Sequence, residues 1–284
     1  MNLSEIGGED ALIDRLKANL ATDPDHVIKG IGDDCAVLKT GDPEIYGLLK
    51  TDCVVEGVHF AENTAPEAVG WKAMARVLSD LAAMGGAKPV AALVTVAVEK
   101  NRAVSEIEGW YTGFRKAADR YEFSIVGGET TSLPEGGPAM ISISMTGEIN
   151  RESCIFRSGA QIGDLIAVSG RLGDSFESGR HLQFEPRFDL ARTAAGSATA
   201  MMDLSDGLAK DLPRLATASG VGFSIDFDKV PLNGECNLEA ALTDGEDYEL
   251  LATFPDSAPA GFTVIGKITE TIETPLKGGW DHFS

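Results

Sequence analysis

The sequence has little positive charge for its acidity, and this deficit limits the partners that the protein can bind. Its 284 residues include 24 lysines and arginines against 44 aspartates and glutamates, which gives a formal net charge of −20. Such a surface repels the phosphates of nucleic acids and of anionic membranes. We therefore predict no nucleic-acid partner and no membrane partner. A phosphorylated substrate remains compatible with this charge, provided that cations lie between the two.

Long apolar runs and a secretion leader are also missing. The longest apolar stretch, near residues 91–98, is far shorter than the roughly 18 residues that a membrane span needs. The first residues form neither the basic region nor the apolar core of a signal peptide. The four cysteines are widely spaced, without a C-x-x-C pair, which favours free thiols in a reducing compartment. We predict a cytoplasmic protein.

The familiar motifs for phosphate binding and nucleophilic catalysis are missing as well. The stretch GFTVIGKI at 261–268 imitates a P-loop, but isoleucine follows the lysine and the interior is typical of a strand. No G-x-G-x-x-G motif, kinase H-R-D motif or Ser/His/Asp signature occurs. Any nucleotide chemistry must therefore use other residues.

The chain does have strand and helix patterns that mix in both halves. Apolar periodicity predicts helices near residues 10–20, 64–84 and 104–121, and β-prone runs predict strands near residues 46–50, 90–98, 139–149, 164–169, 200–205 and 262–268. A short strand at 124–126 is predicted to end in a glycine turn. Residues 150–163 are loop-like. We predict an α/β or α+β protein with two domains, 1–150 and 151–284.

One predicted helix carries an acidic residue on its apolar face. Thr64 and Glu67 have the spacing of a capping box that opens this helix, with proline in its first turn. Asp80 follows Val77 by three residues and precedes Met84 by four, so it points with the apolar side chains. A carboxylate placed there must be paired, hydrogen-bonded or bound to a metal.

Further acids stand beside glycine-rich turns or at the ends of predicted strands. They are Asp33, Asp34, Asp52, Glu129, Asp203 and Asp206. Taken alone, each fits an ordinary turn, and Asp206 also fits a cap on the helix that follows it. If they converge with Asp80, their repulsion requires protonation or divalent cations. Carboxylates without clustered histidine or cysteine select Mg²⁺ or Ca²⁺ rather than zinc.

Eight ordered motifs resemble the thiamine-monophosphate kinase family. They are GIGDDCAV, TDCVVEGVHF, LSDLAAMGGAKP, VGGETT, FRSGAQIGDLIAVSG, DLSDGLAKDL, DGEDYELL and the terminal WDHF. The resemblance implies the two-domain fold of the superfamily typified by aminoimidazole ribonucleotide synthase. It further implies a homodimer that pairs through its amino-terminal sheets and holds ATP at the interface. The implied reaction converts thiamine monophosphate and ATP to thiamine diphosphate and ADP with Mg²⁺.

The resemblance also implies roles for individual residues. The implied Mg²⁺ ligands are Asp34, Thr51, Asp52, Asp80, Glu129, Asp203 and Asp206. The implied ATP contacts are Gly128, Glu129, Arg157 and Ser205, with Tyr111 as a further candidate. The implied substrate contacts are His59, Glu246 and Trp280, although His59 also fits a core position and Trp280 also fits an anchor for the chain end. The implied catalytic residues are Asp52, Asp80 and Arg157.

The sequence departs from the family pattern at several places. Glu129 stands where aspartate is usual, and Lys50 stands where a hydroxyl residue is usual. The arginine usual near Ser132 is missing, and the stretch between Ser175 and Arg187 is shorter. Two other functions stay open, namely an ATP-dependent amidine-forming synthase of the same superfamily and a non-catalytic sensor of thiamine phosphate or nucleotide. The terminal WDHF favours the kinase over the synthase.

Overall fold

The first half of the chain forms a six-stranded mixed sheet in this computed structural model, which describes residues 2–283. Its strands are β1 (Val27–Lys29), β2 (Ala36–Lys39), β3 (Ile45–Val55), β4 (Lys88–Glu99), β5 (Ser124–Leu133) and β6 (Met140–Asn150). Their spatial order is β1-β2-β3-β6-β4-β5. Neighbours run antiparallel except β4 and β5, which are parallel.

One face of this sheet is covered by helices. Helix α1 (Glu9–Lys17) precedes the sheet, α2 (Pro66–Ala83) packs on β3 and β6, and α3 (Val104–Tyr121) packs on α2. Glycines let α2 and α3 approach closely, because a Cβ on Gly113 would lie 2.2 Å from the backbone oxygen of Glu67. Helix α2 is therefore buried along most of its length.

The other face of the sheet is uncovered in the single chain. Side chains alternate along β6, so Ile141 and Ile143 are buried under α2 while Ser142 and Ser144 point the opposite way. Leu49 and Leu93 lie on this second face and are 45% and 49% exposed. We call it the open face.

The second half forms a five-stranded antiparallel sheet. Its strands are β7 (Leu165–Ser169), β8 (Ala200–Leu204), β9 (Gly222–Ile225), β10 (Glu249–Phe254) and β11 (Phe262–Thr269), in the order β8-β10-β7-β11-β9. Helices α4 (Phe188–Ala194), α5 (Leu208–Ser219) and α6 (Leu238–Thr243) accompany it. Every residue of β8 and β10 is buried, so their polar side chains need partners.

Several sequence predictions are confirmed. Helix α3 has the predicted bounds, and β4, β6 and β11 match the β-prone runs. The stretch that imitates a P-loop is β11, an ordinary strand. Among the described residues, none of the helices has the combination of length and apolar character needed to cross a lipid bilayer.

Three local predictions are wrong. Helix α2 begins at Pro66 with Ala65 before it, and no side chain caps its start. Helix α5 follows Gly207, and the backbone amide of Asp206 donates to Asp211 instead of Asp206 capping the helix. The predicted glycine turn after residue 126 is part of β5, because pairing with the longer β4 continues through both glycines.

Candidate functional site

Three buried carboxylates meet where the two halves of the chain touch. Asp80 projects from the last turns of α2, Asp34 lies in the turn before β2, and Asp203 lies on β8. Their oxygens lie within 4.8 Å of one another. We call these three residues the acidic cluster. Within the described part of the chain, it is the only such group of potential metal ligands.

Each member of the acidic cluster has one principal hydrogen-bond donor. Lys50 Nζ donates to Asp80 Oδ1 at 2.6 Å, and Ser79 Oγ donates to Asp203 Oδ2 at 2.6 Å. Arg157 donates to Asp34 Oδ1 at 2.6 Å, which leaves Asp34 Oδ2 buried without a partner among the described residues. A buried, unpartnered carboxylate oxygen between two further carboxylates fits a hard divalent cation such as Mg²⁺.

The electrostatics of the acidic cluster point the same way. Burial raises the pKa of Asp80 well above its usual range, against the opposing charge of Lys50. Burial and the neighbouring Asp34 raise the pKa of Asp203 to about 6. Outside the cluster, burial and Asp34 likewise raise the pKa of Asp33 to about 6. Ionisation of all these carboxylates at once is therefore unfavourable unless further positive charge is bound.

Two other predicted metal ligands are held by arginines. Asp52 Oδ2 accepts from Arg76 Nε at 3.2 Å. Burial alone would raise the pKa of Asp52, but Arg76 and Lys50 lower it, so this carboxylate stays ionised. Asp206 Oδ2 accepts from Arg214 at 2.6 Å. Both acids belong to ion pairs and lie outside the acidic cluster.

The structure places Thr51 and Glu129 away from the acidic cluster. Lys50 reaches Asp80 on α2, so the next residue, Thr51, points to the open face, where its hydroxyl bonds Ser144. Glu129 is exposed on β5 and pairs in register with Thr95. Within one chain these two residues do not complete the cluster.

The predicted nucleotide contacts lie on several elements. Gly128 lies so close to β4 that a Cβ there would be 1.8 Å from Val94 O. Arg157 lies beside the acidic cluster, and Ser205 directly follows β8. Tyr111 lies on α3, with its ring edge-on to Phe114 at 5.0 Å. These residues are separate in sequence and lie on both halves of the fold.

The three predicted substrate contacts are linked through two further residues. Lys72 Nζ donates to both carboxylate oxygens of Glu246, at 2.8 and 2.6 Å, and to the backbone oxygen of His59. The His59 ring lies 5.5 Å from the His282 ring, which lies 6.0 Å from the Trp280 ring. His59, Glu246 and Trp280 therefore belong to one neighbourhood.

The charges of this neighbourhood are set by burial and by ion pairs. Burial alone would raise the pKa of Glu246, but His181 and Lys72 lower it to about 2. Burial lowers the pKa of Lys72 to about 8, although the negative charge of Glu246 acts to raise it. Burial and the nearby Arg76 lower the pKa of His59 to about 3. Glu246 is therefore ionised and His59 is neutral at pH 7.

Trp280 is tethered by its backbone and has a partly free ring. Its amide donates to Asp206 O at 2.8 Å, and Lys210 Nζ donates to its carbonyl oxygen at 2.6 Å. The residue is 45% exposed. This arrangement leaves an indole face available to a ligand.

Sequence reasoning missed Lys72, Arg76 and His181 as site residues. Lys72, Arg76 and Asp80 recur every four residues on α2 and so form one polar stripe on a buried helix. That spacing was a usable signal. His181 comes from a 3₁₀ turn, Arg180–Leu182, whose sequence has no periodic pattern.

Comparisons with known proteins agree on one family. Residues 32–149 match the model for the N-terminal domain of AIR synthase related proteins, and residues 143–265 match the model for their C-terminal domain. The thiamine-monophosphate kinase of Aquifex aeolicus is 36% identical over 100% of both chains. That of Rhodopirellula baltica is 37% identical over 79% of this chain and 75% of its own length.

A solved structure described as AaThiL complexed with AMPPCP and TMP superposes with a TM-score of 0.88. It is 35% identical, and the match covers 100% of this chain and 99% of that one. The predicted two-domain AIR synthase-like fold is confirmed. The chain belongs to the thiamine-monophosphate kinase family.

Proposed function

We propose that this protein transfers the γ-phosphoryl group of ATP to the phosphate of thiamine monophosphate, which yields thiamine diphosphate and ADP. The observation that carries the proposal is the full-length match to a thiamine-monophosphate kinase. A solved structure described as a complex with AMPPCP and TMP matches over the full length as well. The acidic cluster supplies a suitable place for the cations that two phosphorylated ligands require.

We propose that Asp34, Asp80 and Asp203 hold Mg²⁺, with Asp52 and Asp206 as adjacent carboxylates. The buried, unpartnered Asp34 Oδ2 supports this assignment. Bound Mg²⁺ would neutralise phosphate oxygens as negative charge builds up during transfer. The three ligands come from both halves of the chain, so the ion would also hold those halves together.

The protein's own residues position the two anionic substrates. Arg157, anchored by Asp34, offers a guanidinium to the transferred phosphoryl group. The acceptor phosphate is already largely ionised at pH 7, because its second pKa is about 6. No strong general base is therefore needed, which agrees with the neutral, buried His59. Catalysis then consists of alignment and charge neutralisation.

The thiamine part of the acceptor fits the neighbourhood of His59, Glu246 and Trp280. Its thiazolium ring is cationic and its aminopyrimidine ring is flat. The ionised Glu246 carboxylate attracts the cation, and the half-exposed Trp280 indole can stack on a flat ring.

We propose that a second copy of the chain covers the open face and completes the nucleotide site. Exposed leucines at positions 49 and 93 support this packing. Thr51 and Glu129, which the single chain leaves apart from the acidic cluster, lie on this face. ATP would then contact Gly128, Glu129, Arg157 and Ser205, with Tyr111 as a further candidate.

We also propose two domains, residues 1–150 and 151–284, and a cytoplasmic location. Each sheet takes its strands from one side of residue 150. All four cysteines, Cys35, Cys53, Cys154 and Cys236, are free thiols, which suits a reducing compartment.

The deciding experiment is an assay of ADP formation with purified protein. We expect ADP and thiamine diphosphate in equal amounts, only when ATP, Mg²⁺ and thiamine monophosphate are all present. ADP formed only with a synthase-type amide acceptor would support the amidine-forming alternative. Tight binding of thiamine monophosphate without any turnover would identify a sensor.

A further inference from the structure

Lys72 is a lysine whose whole side chain lies inside the protein. It is 0% exposed, and its ammonium group contacts Glu246 twice, His181 Nδ1 at 2.6 Å and the backbone oxygen of His59. A buried ammonium needs such a complete set of acceptors to remain charged. The proposed reaction uses Glu246 and His59 directly but gives no task to the residue that joins them.

The backbone of Glu246 is fixed by the second half of the chain. Its φ is +55°, and Tyr248 has φ +50°, a conformation that is costly for residues with a side chain. The amide of Glu246 donates to Ser205 O at 2.7 Å, and Ser175 Oγ donates to its carbonyl at 2.6 Å. These bonds hold the strained turn in place, and they leave the direction of the carboxylate to other contacts.

The carboxylate of Glu246 is contacted by Lys72 from the first half of the chain and by His181 from the second. Lys72 lies on α2 and bonds both oxygens, while His181 approaches one of them at 3.0 Å. A carboxylate has about four acceptor sites and Lys72 occupies two of them, so acceptor capacity remains for a ligand. The Glu246 side chain is 17% exposed, which gives a ligand access to that site.

The position of Lys72 on α2 relates this carboxylate to the acidic cluster. Lys72 and Asp80 are eight residues apart on one continuous helix, which corresponds to about 12 Å along its axis. Thiamine monophosphate is elongated, with a phosphate at one end and the aminopyrimidine at the other. A rigid helix that holds a carboxylate near its middle and a metal ligand near its C-terminal end suits such a molecule.

We propose that Lys72 is a positioning residue that aims the Glu246 carboxylate at the thiamine rings and fixes its distance from Asp80. The proposal rests on the proposed kinase function. A purely structural ion pair is the competing explanation, and buried ion pairs are often replaceable by apolar residues without loss of stability. The two explanations differ in which kinetic constant changes and in whether the effect passes through Glu246.

The test measures KM for thiamine monophosphate, KM for ATP and kcat in four proteins and one control. These are wild type, Lys72→Met, Glu246→Gln and the double variant. Methionine is unbranched like lysine and only one atom shorter, and it carries no charge. Lys116→Met serves as the matched control, because Lys116 on α3 forms an exposed ion pair with Glu67 on α2. Melting temperatures are measured for all the proteins.

We expect Lys72→Met to raise KM for thiamine monophosphate about tenfold, with KM for ATP within twofold of wild type. The double variant should have the same KM as Glu246→Gln within twofold, because Lys72 acts through Glu246. If Lys72→Met fails to fold, the comparison of the double variant with Glu246→Gln decides the matter. The control should match wild type.

Three results would overturn the proposal. One is an unchanged KM for thiamine monophosphate in Lys72→Met, and another is an equal rise in both KM values. The third is a double variant that is unfolded or about tenfold worse than Glu246→Gln. Failure of the kinase function itself would appear separately, as a wild-type protein that forms no ADP with thiamine monophosphate.

Discussion

At the scale of single residues, Asp80 is a buried acid whose effects on stability and on turnover are expected to have opposite signs. Burial and its acidic neighbours raise its pKa, so ionised Asp80 destabilises the metal-free fold. We expect Asp80→Asn to melt at the same temperature as wild type or higher without Mg²⁺. We expect its turnover with Mg²⁺ to fall at least about a hundredfold, or about 2.7 kcal/mol.

Calorimetry without Mg²⁺ and the ADP assay with it check this prediction. Asp189→Asn is the control, because Asp189 is fully exposed and forms a surface ion pair with Arg192 on the same helix. An active Asp80→Asn protein, or one unfolded at room temperature, would show that Asp80 is not a functional metal ligand.

Glu246 gives a pH prediction whose sign follows from its lowered pKa. Its pKa in the folded protein is about 2, below the ordinary glutamate value of 4.5. The ionised group therefore contributes stability that is present above about pH 4.5 and is lost as the pH falls towards 2. Protonated glutamic acid is neutral like glutamine. We expect the stability difference between wild type and Glu246→Gln to shrink over this range.

Urea unfolding of both proteins at pH 7 and at several values between pH 5 and 3 measures that difference. The comparison of two variants cancels the titration of the other carboxylates. A difference that stays constant from pH 7 to pH 3 would contradict the assigned ion pair with Lys72.

At the scale of elements, the sequence predicted what periodicity controls and missed what distant contacts control. The inward direction of Asp80 followed from helical spacing, and the structure confirms that it is buried. The partner of Lys72 was not predictable, because Glu246 lies 174 residues away. The prediction of a glycine turn after residue 126 was wrong, because pairing of β5 with β4 overrides the local turn preference.

The close contact between α2 and α3 leads to a prediction about stability. A Cβ on Gly113 would lie 2.2 Å from Glu67 O and 2.5 Å from Trp71 N, and neither backbone can move without disturbing α2. We expect Gly113→Ala to lower the free energy of unfolding by about 1–3 kcal/mol. Gly196→Ala, with nothing within 4 Å of its added Cβ, should be close to neutral.

Denaturant unfolding of the two glycine variants tests this packing. Because α2 carries Asp80, Gly113→Ala should also reduce turnover more than Gly196→Ala does. Equal stability of the two variants would mean that α2 and α3 are not packed as closely as described.

At the scale of the whole molecule, the acidic cluster lies between two independently built sheets. Asp34 and Asp80 come from the first half, and Asp203 comes from β8 of the second. The family motifs that contain these residues identified them, and the apolar helix face additionally singled out Asp80. The motifs did not show that Thr51 and Glu129 would point to the open face, since the face to which a strand side chain points depends on the pairing register.

The open face makes the association of two chains testable. Leu93→Asp places a charge on this exposed surface without disturbing the buried side of β4. If a second copy covers the face, the variant should be monomeric by sedimentation while wild type is dimeric. Ile272→Asp, at an exposed position in the second half, is the control. A dimeric Leu93→Asp protein would exclude this face as the interface.

The chain end connects the substrate neighbourhood to the rest of the molecule. Trp280 lies in an irregular segment that follows the last strand, β11. Here the backbone of Trp280 is tied to Asp206 and Lys210, and neither bond involves the indole. Removing the indole should therefore leave the segment around Trp280 in place and the fold intact. If the indole were an anchor, its removal would release this segment and destabilise the fold.

We expect Trp280→Ala to raise KM for thiamine monophosphate about tenfold, or about 1.4 kcal/mol, through loss of ring stacking. KM for ATP and the melting temperature should remain close to those of wild type. Phe227→Ala, which removes a partly exposed aromatic ring elsewhere in the second half, should change none of these values. A melting temperature several degrees lower, with unaltered KM for thiamine monophosphate, would show that the indole serves as an anchor and that another group binds the thiamine rings.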